Sequence, residues 1–81
     1  MIILLRFICL DKTCKDYGKI IPSERDFFYN HILEKPRTRL EETCEDFNIL
    51  PNPQFESKYT LVNCIVDFSH ELVVEHFPNR D

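Results

Sequence analysis

The residues best suited to chemistry in this sequence are its four cysteines and three histidines. Cys9 and Cys14 stand in a Cys-x4-Cys spacing, with His31 and Cys44 further along the chain. Thiolates and imidazoles in that combination are what a tetrahedral zinc ion takes. Two thiols at the end of a strand and in the turn after it can converge on one ion, and His31 and Cys44 would complete the set if a second helix folded back over the hairpin. The same cysteines also suit a core. Cys9 lies in an apolar run, Cys44 in a helical stripe and Cys64 on the inward face of an expected strand, where free cysteines act as small hydrophobes. Cys14, between Thr13 and Lys15, fits a core least. In a reducing compartment all four would be thiols or metal ligands, and their even number leaves two disulfides open elsewhere.

The segment Phe7-Ile8-Cys9, then Cys14-Lys15-Asp16-Tyr17-Gly18-Lys19, then Phe28 and His31 resembles the Cys2His2 zinc finger over residues 7–31. The resemblance implies a hairpin that supplies two cysteines, a helix that supplies histidine, and a zinc-stabilised module that binds nucleic acid. The sequence departs from the family twice. The gap from Cys14 to His31 is longer than the family's, and no second histidine follows His31 at the required spacing.

Other constellations offer less. Asp67, Ser69 and His70 are close in sequence, but in a strand, neighbouring side chains point to opposite faces and cannot relay a proton. His70 and His76 would be too far apart along an extended chain to share an ion. Gly18 is the only glycine, so no glycine-rich phosphate cradle exists. Tyr17, Phe27 and Tyr29 could stack on RNA bases, yet aromatics at helical spacing usually build cores. The chain therefore reads as non-enzymatic.

Charge points the same way. Fourteen acidic against ten basic residues give a net charge of −4, which repels phosphate backbones. Glu41, Glu42, Glu45 and Asp46 crowd one stretch that could engage a basic site on another protein, in the manner of a small inhibitor or regulator. Lys35, Arg37 and Arg39 form the one basic cluster, and its plainest reading is a solvated surface. The expected partner is thus another protein, with the zinc-stabilised nucleic-acid module as the alternative. No cofactor other than that zinc is expected. A small core also leaves room for homo-oligomer formation.

These residues need elements to hold them. With 81 residues, 43% of them hydrophobic, one compact domain over 1–81 with one core is expected, rather than disorder. The run Met1 to Leu5 has no basic residue before it and no small-residue cleavage site after it, so it makes a poor signal peptide, and nothing approaches a membrane span. The default address is the cytoplasm.

Residues 2–10 read as a buried, central strand, and 17–21 as its hairpin partner before Pro22, with Gly18 at a bulge. Ser23 and Asp26 predict a capping box for a helix to about Glu34. That helix carries Phe28, Tyr29, Ile32 and Leu33 on one face, and Pro36 ends it. Thr38 to Glu41 predicts a second capped helix over 38–47 with Leu40, Cys44 and Phe47 inward. Residues 48–54 read as an extended connection. Val62, Cys64, Val66 and Phe68 alternate with Leu61, Asn63, Ile65 and Asp67, which predicts a strand over 58–68. Residues 72–77 are a last strand, or a short helix capped by Ser69. The expected fold is α+β, with an antiparallel sheet of three to four strands packed on two helices, in the order ββααββ or ββααβα.

Overall fold

The computed structural model describes residues 4–49 and 57–76. It is an α+β arrangement of one two-stranded antiparallel sheet and three helices. β1 (Leu5–Ile8) pairs with β2 (Ile20–Ser23), with Leu5 opposite Ser23 and Ile8 opposite Ile20. The hairpin expected from the sequence is present, but its second strand runs on through Pro22, and Gly18 stands in the turn ahead of that strand and not within it. Between its strands the chain turns through Asp11 to Gly18, where Gly18 adopts φ 82° and its N–H donates to the Cys9 carbonyl (2.9 Å). A glycine reaches that left-handed conformation without Cβ strain. Pro22 sits opposite Arg6 and can donate nothing to a further strand, which suits the outer strand of a pair.

α1 (Arg25–Leu33) buries Phe28 and Ile32 and packs Tyr29 and Leu33 at the edge of the core, the face expected from their spacing. Its predicted capping box does not form. Ser23 belongs to β2 and donates its hydroxyl to the Glu24 carbonyl (2.9 Å), so Glu24 becomes the N-cap with no side-chain bond. α2 (Arg37–Phe47) turns Leu40, Thr43 and Cys44 inward, close to its expected span, but starts from Pro36 and not from a Thr38 cap. Asn48 closes it in the left-handed conformation at φ 53°. The predicted connection lies largely outside the described residues.

The largest correction concerns the last third of the chain. The strand expected over 58–68 and the separate element over 72–77 are one helix, α3 (Lys58–His76). The order is therefore ββααα, and neither a third nor a fourth strand occurs among the described residues. The buried set explains why: Leu61, Val62, Ile65, Val66, Ser69 and Val73 repeat every three to four residues, a helical stripe. The alternation read from sequence arose because both parities of this run carry apolar residues. Start signals also favour the helix, since the Ser57 hydroxyl accepts from the Thr60 N–H (3.2 Å), satisfying an amide of the first turn. No proline or glycine interrupts 57–76.

α3 packs on β1, α1 and α2, so the core gathers around it. Phe7 of β1 stacks flat on Phe28 of α1, with ring centroids 4.4 Å apart and planes within 5°. Phe47 and Phe68 tie α2 to α3 at 5.8 Å. β1 is not a central strand. Its free edge is covered by α3: the Ser69 hydroxyl accepts from the Ile8 N–H and donates to the Ile8 carbonyl, each at 2.7 Å. His70 Nδ1 lies 3.1 Å from the Arg6 carbonyl. A carbonyl only accepts, so Nδ1 is the donor and carries a proton. Two helical side chains thus stand where a third strand was expected, saturating the backbone groups that such a strand would have bonded. Among the described residues no helix is long and apolar enough to cross a membrane.

Candidate functional site

The most heavily bonded polar group lies where the turn after β1 meets α2. Asp11 is only 5% exposed, and its carboxylate takes contacts from three directions. Oδ1 accepts from the Thr13 N–H (2.9 Å), the Thr13 hydroxyl (2.7 Å) and Arg39 Nη2 (2.9 Å), while Oδ2 faces Lys35 Nζ at 3.2 Å. Burial by itself disfavours ionisation of Asp11. The hydrogen bonds from Arg39, Thr13 and Lys35 outweigh it and hold the carboxyl well below the usual carboxylate range. A cavity of about 10 Å³ adjoins the cluster, lined by Asp11, Lys35 and Thr43 beside apolar side chains, with room for about one water molecule.

The acidic residues anticipated as a binding surface lie along α2. Glu42, Glu45 and Asp46 are exposed and Glu41 is half-buried. Their pairing is uneven. Glu41 Oε2 holds Arg37 Nε at 3.0 Å, Glu42 pairs with Arg39, Asp46 Oδ2 lies 3.3 Å from Lys12 Nζ, and Glu45 joins none of these pairs. The basic cluster Lys35, Arg37 and Arg39 is correspondingly not a free solvated patch. Lys35 and Arg39 reach inward to Asp11, leaving their side chains only 17% and 28% exposed. Sequence reasoning passed over Asp11 as a turn residue. The Asp-x-Thr pattern, in which an aspartate accepts from the backbone two residues on, was the available signal.

The candidate metal ligands separate. Cys9 is buried just after β1 and Cys14 is half-buried in the turn that follows, near enough for Cys14 to add to the rise of the Cys9 thiol. Burial is the main reason the Cys9 thiol is pushed up to about 11. Cys44 is fully buried on the inward side of α2, where burial, then the nearby Cys64, Glu41 and Glu45, push its thiol up to about 11. His31 is exposed on α1 and its ring lies 6.2 Å from that of Phe28. Among the described residues no three His, Cys, Asp or Glu side chains are grouped to hold a metal ion, so the set Cys9, Cys14, His31 and Cys44 is not assembled. All four cysteines are unbridged.

Asp67, Ser69 and His70 lie on a helix and not on a strand, yet they still face apart. Asp67 binds Arg25 (2.9 Å), Ser69 binds Ile8 and His70 approaches Arg6. Each of the three is occupied by a different element, which leaves them no mutual relay. The large exposed apolar side chains, Leu4, Tyr17, Phe27, Tyr59 and Val74, are spread over the residue before β1, the turn, α1 and α3. Compared with known proteins, the chain matches no family model, no curated protein and no solved structure.

Proposed function

We propose that this chain is a non-enzymatic binding protein that acts by protein–protein contact, with the acidic face of α2 docking on a basic site of its target as a small inhibitor or regulator would. One observation carries the reading. Glu42, Glu45 and Asp46 are exposed on one helix, and Glu45 joins none of the ion pairs that engage Glu41, Glu42 and Asp46, while Lys35 and Arg39 are drawn toward the buried Asp11. An outward negative field of this kind steers a basic partner and weakens as salt screens it.

Glu45→Lys is the cleanest test, because Glu45 takes part in none of the ion pairs described above. Tagged wild-type chain and Glu45→Lys are used as bait across a salt series, followed by purified-partner titration. Capture that weakens with salt and falls at least about tenfold in the variant supports the reading. Capture that survives both changes removes the acidic face from the account. The alternative, a zinc-stabilised nucleic-acid module, is disfavoured because nucleic acid would have to displace Lys35, Arg37 and Arg39 from carboxylates that already hold them.

A further inference from the structure

Four parts of the fold meet at the cavity of about 10 Å³ beside Asp11. The turn after β1 brings Asp11, the end of α1 brings Ile32 and Lys35, α2 brings Leu40 and Thr43, and α3 brings Ile65. The Lys35 N–H donates to the Ile32 carbonyl (3.0 Å), which fixes the root of its side chain at this wall. A space of this size takes a water molecule and nothing larger. Cavities walled by aliphatic side chains alone stay dry, whereas those offering two to four polar partners hold water.

Hydrogen-bond accounting separates the two cases. Asp11 Oδ1 accepts three bonds and is saturated, but among the described residues Oδ2 meets Lys35 Nζ alone. An ammonium carries three donors, and that contact at 3.2 Å uses one. The Lys35 side chain is only 17% exposed, so bulk solvent reaches little of it. Thr43 spends its one hydroxyl proton on the Arg39 carbonyl (2.9 Å), which leaves its oxygen an acceptor on a buried residue. The lining therefore offers a carboxylate acceptor, a hydroxyl acceptor and spare ammonium donors. A molecule with two protons and two lone pairs is their complement.

We propose that this cavity is the binding site of a structural water that donates to Asp11 Oδ2 and Thr43 Oγ1 and accepts from Lys35 Nζ. Three hydrogen bonds are what a buried water usually makes. A cation there would face Lys35, and an anion would face Asp11, so a neutral occupant fits the charges as well as the size. The water extends the Asp11 cluster to Thr43, giving α2 a second polar link to the turn besides Arg39.

Oxygen-17 relaxation dispersion on the full chain tests this, because it counts long-held water molecules and is blind to exchangeable protein protons. Water–methyl Overhauser effects at Ile32, Leu40 and Ile65 give the location. The wild type should show slow-water Overhauser effects at these methyls, of the sign that marks a residence beyond about a nanosecond. Thr43→Val, which keeps the shape and removes the acceptor, should lower the dispersion amplitude by about one water and abolish those cross-peaks, while Thr43→Ser keeps both. Only fast, bulk-like water at the three methyls overturns the proposal. So does an amplitude unchanged in Thr43→Val, or one lost equally in Thr43→Ser. If Thr43→Val does not fold, the wild-type cross-peaks and Thr43→Ser decide alone.

Discussion

Replacing Ser69 by alanine probes the contact that lets a helix take the place of a strand. The Ser69 side chain is fully buried and its hydroxyl serves both backbone groups of Ile8, at 2.7 Å each. Alanine fits the space but leaves one N–H and one carbonyl without a partner. Each orphaned group costs about 1–3 kcal/mol. The two share one lost hydroxyl and partial relaxation, which puts the gross cost at about 2–4 kcal/mol. Alanine's better helix propensity returns about 0.5 kcal/mol. A net loss of about 2–3 kcal/mol is expected, a large part of the few kcal/mol to about ten that a chain of this size commands. Urea unfolding followed by far-UV dichroism reads it as a lower midpoint at unchanged slope. Hydrogen exchange supplies the local readout, because the Ile8 amide should lose more protection than amides in α2. A change below about 0.5 kcal/mol, or an Ile8 amide as protected as in the wild type, would refute the reasoning.

Asp11 sets the acid limb of stability. Its folded carboxyl titrates well below the unfolded value near 3.9, so its contribution is fully present above about pH 4 and is lost as pH falls further. Asp11→Asn should flatten that limb and cost about 3 kcal/mol at neutral pH by leaving Lys35 and Arg39 without their shared partner. An unchanged acid-unfolding profile would sink this assignment. Phe28→Ala removes the ring stacked on Phe7 and should cost about 3–5 kcal/mol, while Phe27→Ala, at 67% exposure, should stay within about 0.5 kcal/mol; similar urea midpoints for the two would contradict the packing described. Asn48→Gly should be neutral or stabilise by a few tenths to about 1 kcal/mol, and Asn48→Ala should destabilise, since φ is 53° there; thermal melts giving the reverse order would exclude the left-handed cap.

The first half of the chain was more legible than the second. Phe28 with Ile32, and Leu40 with Cys44, announce helices because polar residues separate their apolar ones, and Pro36 punctuates them. Over 58–76 that contrast vanishes: Leu61 and Val62 are both buried, as are Ile65 and Val66, so a two-residue alternation and a helical repeat fit the same letters. Length and the absence of breakers favoured the helix, and β-branched valines pulled the other way. The capping boxes failed for a related reason. Ser23 had a competing place in β2, and a turn that starts on Pro36 had already defined α2 before Thr38. At the candidate site, the carboxylates of α2 could be found by composition, but their cations' commitment to Asp11 could not. Lys35 and Arg39 lie more than twenty residues from it in sequence, and only the fold brings them together.

The Ser69–Ile8 contact joins residues 61 positions apart. Loop closure over such a distance comes late, because its entropy must be met before the contact returns anything. During synthesis the hairpin leaves the ribosome well before Ser69 does. Until α3 arrives, the Ile8 N–H and carbonyl remain on an open strand edge, a template on which another chain can add. The last helix therefore acts as a built-in chaperone for the first strand. Chains released before Ser69 should aggregate through β1, while the finished protein has that edge closed.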